Sequence, residues 1–125
     1  LAPVLARRLG PRPSGDLGAG LISPATAELF WSTGYVEGSP RVLGWDGIHR
    51  GGDTSASLRF STAARGHLGF TGTSLWIDPE LDAIVTCLTN RVLLSENQMD
   101  IAPMKAFRRN FHDTLLDELL GGKPS

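Results

Sequence analysis

A histidine set among glycines is the part of this sequence best suited to chemistry. RGHLGFTGTSLWIDPE, Arg65 to Glu80, carries Gly66, Gly69 and Gly72, with His67 directly behind the first. Steps of three match neither the period of a strand nor that of a helix, so side-chain packing is not the expected reason for them. Glycine serves where the chain needs a conformation other residues resist, or where another group must come close to the main chain. An imidazole at a strand start with little bulk around it can project into a cleft. Gly69 would let a ligand reach the backbone, leaving the N–H of Phe70 free to donate to it. A main-chain N–H aimed into a cleft is how an oxyanion hole is built, and the chemistry would be acyl transfer. The plainer alternative is a glycine-rich hairpin that only bends the sheet.

Other chemistries find less support. His49, His67 and His112 show no ligand spacing and have no cysteine nearby, so a metal site is set aside, and no cofactor is expected. The glycine series contains no G-x-G-x-x-G and runs into a strand where a phosphate loop would run into a helix. His112, beside Asp113 on the final helix, reads as a solvated or core-edge residue. The single cysteine, Cys87, lies in an apolar run and reads as a small buried hydrophobe. Twelve basic against thirteen acidic residues give a net charge of -1, so nothing electrostatic calls for nucleic acid or anionic lipid as a partner. The apolar runs are a few residues long, far short of the roughly 20 that span a bilayer.

The elements that must position His67 can be read from either side of it. At 125 residues the chain is at most one ordinary domain. LAPVLARRLG, Leu1 to Gly10, has helical character with a glycine stop, and residues 10–20 are a loop dense in turn formers. Ser23 caps a helix with Pro24 at its first position and an end near Gly34, with Phe30 and Trp31 on its buried side. VLGWD, Val42 to Asp46, reads as a short strand, residues 49–57 as a polar loop, and SLRFS as a strand end. GHLGF, TSLWIDP and AIVTCLTN follow as strands, the last two joined by DPELD into an antiparallel hairpin with apolar residues on both faces, hence a sheet covered on both sides. Met104, Phe107, Phe111, Leu115 and Leu119 recur at helical steps, with Asp100 as cap and Gly121 as stop, and should lie on the sheet.

GHLGFTGTSLWIDPELDAIVTCLTNRV, with LISPATAELF and LGWD upstream, resembles the C-terminal part of the β-lactamase-related serine hydrolases, the superfamily of class C β-lactamases, penicillin-binding proteins and related esterases. The resemblance runs from about Leu21 to Asp117. It implies that His67, Leu68 and Gly69 correspond to the family's third active-site motif, K-T-G or H-T-G, on a strand lining the catalytic cleft. His67 would then orient substrate and the proton network, Leu68 and Gly69 would line the substrate, and Phe70 would supply one oxyanion amide. Leu68 departs from the hydroxyl residue usual at the motif's centre, which weakens a strict β-lactam reading and leaves an esterase or peptidase reading intact. Leu93 and Leu94 stand where relatives often continue with His-Pro.

The S-x-x-K nucleophile motif of that family is absent. The lysines are Lys105 and Lys123, neither with a serine three residues earlier, and the one tyrosine, Tyr35, is followed by Val36 and Glu37 rather than a Y-x-N-like motif. The expectation is the C-terminal portion of an α/β (α+β) domain of β-lactamase/transpeptidase-like fold, an antiparallel sheet packed under a C-terminal helix. Residues 1–40 would end the helical region, and residues 41–125 would form sheet and closing helix. Its partners would be a small ester, amide or β-lactam substrate and a missing N-terminal part of the same protein that carries the nucleophile. Relatives in that family are often secreted or periplasmic. These residues alone should leave strand edges and apolar surface open. The alternative is a non-catalytic binding or structural protein on the same scaffold.

Overall fold

The computed structural model describes residues 5–8, 23–32, 34, 36–51, 54–93 and 100–121. In chain order the elements are β1 (Leu5–Arg8), α1 (Pro24–Ser32), β2 (Asp46–Gly47), β3 (Arg65–Leu68), β4 (Ser74–Asp78), β5 (Ala83–Cys87) and α2 (Ala102–Leu119), with a 3-10 turn at Arg91–Leu93 before α2. The strands form one antiparallel sheet in the order β1-β5-β4-β3-β2. This is an α+β architecture, as the sequence leads one to expect. The expected loop at 10–20 and the turn residue Tyr35 lie outside the described residues.

The β3–β4–β5 meander follows the alternation in the sequence. Ser74, Trp76 and Asp78 on β4, and Ala83, Val85 and Cys87 on β5, are buried on one face. Trp76 and Val85 join Phe60, Ala64 and Leu116 of α2 in the core. Leu75, Ile77, Ile84 and Thr86 on the reverse face are only half-buried, so the sheet is fully covered on one side rather than two. At the hairpin, the fully buried Asp78 organises the turn. Its Oδ1 accepts from the N–H groups of Glu80 (3.0 Å) and Leu81 (3.1 Å) and from Ser61 Oγ (2.8 Å), while Oδ2 accepts from the Ser61 N–H (2.6 Å). A carboxylate so surrounded by donors keeps the partners that burial takes from water.

Three expectations need correction. Residues 5–8 are not helical: they pair with β5, from Leu5 opposite Thr86 to Arg8 opposite Ala83. An isolated helix this short is marginal, whereas the outer edge of β5 presents a row of unpaired backbone groups that a strand satisfies at once. That edge is therefore closed, not open. SLRFS forms turns and bends, because its serines bond their own backbone: Ser57 Oγ accepts from the Arg59 N–H (3.0 Å) and Ser61 Oγ from the Ala63 N–H (3.2 Å). VLGWD makes a single bridge, Val42 to Trp45, around Gly44 at φ +75°, and the strand proper starts only at Asp46.

Helix α1 starts as its sequence prescribes, with the Thr26 N–H donating to Ser23 Oγ (3.0 Å) ahead of Pro24. Ser23→Ala should lower stability in urea by about 1 kcal/mol, and an unchanged midpoint would show the cap to be idle. Phe30, expected inside, is 46% exposed. Among the described residues Trp31 anchors the helix, its Nε1–H donating to the Ala63 carbonyl (3.1 Å) and its ring 5.8 Å from that of Trp45.

In α2 the Ala102 N–H donates to Asp100 Oδ1 (3.0 Å), and Gly121, at φ +84°, follows the C-terminus as the expected stop. The buried stripe is not the apolar one. Arg108, His112 and Leu116 face inward, while Phe107 is exposed and Phe111, Leu115 and Leu119 are half-buried. The helix is thus turned by about one residue, roughly 100°, from the orientation its apolar pattern suggests. The inward-facing Arg108 bonds carbonyls of the glycine turn between β3 and β4.

Candidate functional site

The triple-glycine segment is the end of β3 and the turn into β4. Its glycines are packed, contrary to the expectation from their spacing. A Cβ on Gly66 would run into the Trp76 ring directly across the β3–β4 ladder, and one on Gly69 into Thr73 Oγ1. One on Gly72, which also has φ +98°, would meet Thr89 and Met104 of α2. The turn is closed by the Gly69 N–H donating to the Thr73 carbonyl (2.8 Å) and the Gly72 N–H to the Gly69 carbonyl (3.0 Å).

Arg108 holds this turn from below. Its Nε–H donates to the Gly72 carbonyl (2.8 Å), and its Nη2 donates to those of Gly69 (3.0 Å) and Thr73 (3.1 Å). Burial pushes the guanidinium below its ordinary range, Cys87 nearby works against that, and Arg91 adds to it. On the same helix face His112 lies fully buried, its ring 5.6 Å from that of Phe60 and 5.4 Å from that of Phe111, with Nε2 3.4 Å from Ser74 Oγ. Burial first and Arg108 second push its pKa down to about 4, against the opposing pull of Asp113 and the Ser55 backbone. The Ser55 backbone does not make a well-formed hydrogen bond with the imidazole, whose Nδ1 stays unpartnered. The solvated or core-edge position expected for His112 is therefore wrong: it is a neutral core residue. Cys87 is buried as expected, and burial raises its thiol.

His67 is exposed on β3 and contributes to a cleft of about 160 Å³ with Arg41, Val42, Trp45 and Asp46. Leu68, on the opposite side of the strand, lines a neighbouring cleft of about 280 Å³ with His49, Ser55, Trp76 and Lys105. The two clefts share Arg41 and Asp46, which form an ion pair of 2.7 Å. A roomier cleft of about 420 Å³ lies on the outer side of α2, against Phe107, Phe111 and Leu115, and carries none of the sequence-predicted residues. Phe70 is 65% exposed. Its carbonyl accepts from Arg91 Nε (2.6 Å), whose guanidinium sits 4.7 Å from the Phe70 ring centroid. Its N–H bonds to no other described residue. The fold thus brings His67, Leu68 and Gly69 to one end of β3, with the Phe70 amide one residue on, and neither β3 cleft is lined by Phe70.

Sequence reasoning missed Arg108 and Arg91. The available signal was the run Met104, Arg108, His112 and Leu116 at steps of four, a stripe with two polar members inside an otherwise apolar set of choices.

No protein-family model matches the chain, and no curated protein matches it. Among solved structures it is similar to the crystal structure of a β-lactamase from Mycobacterium bovis, with a TM-score of 0.51 and 24% identity. The similarity covers 63% of this chain and 26% of the other, so the chain spans about a quarter of that β-lactamase's length. What that likeness shows is the fold alone, a loosely β-lactamase-like one.

Proposed function

We propose that these residues form one wall of the catalytic cleft of a serine acyl hydrolase, of the β-lactamase, esterase or D-Ala peptidase type. The observation that carries the reading is the conjunction of GHLGFTG with its position, the end of a strand in a fold like that of a β-lactamase. His67, exposed at a cleft rim, orients the substrate and its proton network. Leu68 and Gly69 line the substrate, and the Phe70 N–H, bonded to no other described residue, is one donor to the oxygen of the acyl carbonyl as a nucleophile attacks it. Leu68 and the neighbouring indole of Trp76 give the adjoining cleft an apolar wall, which suits the acyl chain of an ester or amide. The 125 residues contain no S-x-x-K, so the serine and its activating base must come from outside them.

The test is kinetic. In the full-length protein His67→Ala should lower kcat by at least about tenfold on its best ester or β-lactam substrate, the scale of a positioned proton-transfer or charge-stabilising group. Unchanged kinetics remove His67 from the mechanism.

A further inference from the structure

The Phe70 amide sits on a turn whose other carbonyls are all taken. Those of Gly69, Gly72 and Thr73 converge on one guanidinium, and that of Phe70 itself is bonded by Arg91. A peptide plane is rigid, so fixing the Gly69 carbonyl also fixes the direction of the N–H on the same plane, which is that of Phe70. In this trans peptide the Gly69 C=O and the Phe70 N–H lie in one plane and point in opposite directions. Arg108, approaching from the α2 side, therefore aims the amide away from the helix. The turn is also packed closely against α2. Gly72 at φ +98° leaves no room for a side chain between the turn and Met104. On α2 itself Arg108 is buried on the inward side, while Phe107 of the apolar stripe is left exposed.

We infer that Arg108 is a positioning residue that fixes the direction of the Phe70 N–H through the Gly69 peptide plane, and so sets the oxyanion geometry of the site proposed above. The inference rests on that reading of Phe70. Arg108 touches neither substrate nor reacting atoms. Its planar fork spans carbonyls from both ends of the turn, which a lysine, as a point charge on a flexible stem, cannot do.

The test uses Arg108→Lys in the full-length protein, with folding checked by tryptophan fluorescence, and Arg108→Gln read in the same way should the lysine variant not fold. The expected result has two parts. The kcat for acyl hydrolysis falls about tenfold to a hundredfold while KM stays within about twofold, the effect of misaiming a donor rather than losing substrate contacts. Hydrogen exchange at the Gly69 and Gly72 amides, whose bonds close the turn, also accelerates, while that of β4 and β5 is unchanged. Faster exchange with wild-type kcat would overturn the inference, because the clamp would then be structural only. Unchanged exchange would overturn it as well, whatever the kinetics. A wild-type protein that hydrolyses no ester or β-lactam instead defeats the proposed function, and with it the oxyanion role, even if exchange shows Arg108 holding the turn.

Discussion

Phe60→Ala should cost about 3–5 kcal/mol of stability, as truncations of buried aromatics do. Phe60 is wholly buried at the centre of the core, stacked on Trp76 at 5.8 Å and touching the His112 ring with its edge. Cavity and lost transfer free energy act together here, because the neighbours cannot collapse onto the gap. Trp76 is pinned against Gly66 on its other side, and α2 is tied to the glycine turn by Arg108. Equilibrium urea unfolding followed by tryptophan fluorescence reads the effect, and a loss under about 1 kcal/mol would show that this core can repack. The same variant admits water to His112 and should raise its pKa towards the ordinary value, so the two effects are coupled.

Acid should destabilise the fold well before its carboxylates protonate. His112 is held neutral in the core with a pKa of about 4, below the ordinary 6.5. Its folded-state pKa is depressed, so above 6.5 both states are neutral and the full stability is present. As pH falls through 6.5 the unfolded chain takes up a proton that the folded one refuses, and stability drops until the folded pKa near 4 is reached. The gap corresponds to a loss of about 3 kcal/mol over the whole range, most of it between pH 6.5 and 4.5. The facing groups agree with this sign: Arg108 repels the imidazolium, and Asp113, which would favour it, is engaged by Ser57 Oγ at 2.5 Å. His112→Gln should flatten the urea-midpoint profile between pH 7.5 and 5. A profile identical to that of the wild type would assign the acid sensitivity elsewhere.

The sheet was legible where local and global preferences agree. In SLWID and AIVTC the two-residue alternation, the β-branched and aromatic residues and the intervening proline turn all favour the hairpin that forms. Helix starts were legible for the same reason: Ser23 and Pro24 act within one turn of chain. What was not legible depends on partners distant in sequence. Residues 5–8 become a strand only because β5 has an edge to fill. The orientation of α2 goes with the bonds of Arg108 to three carbonyls of a turn more than thirty residues earlier, and it leaves Phe107 exposed. At the candidate site, the sequence indicated where His67 to Phe70 would lie but not the clamp beneath them. A guanidinium inside a helix reads as surface until its acceptors are known.

The bonds from Arg108 to the glycine turn span 35 to 39 residues of chain. The β4–β5 hairpin closes over a few residues, whereas contacts of such span are reached only after a larger loop-closure cost. The turn bearing the Phe70 amide therefore acquires its final shape late in folding, when the last helix docks. During synthesis the chain would carry a formed β4–β5 hairpin beside a loose glycine turn until α2 has cleared the ribosome.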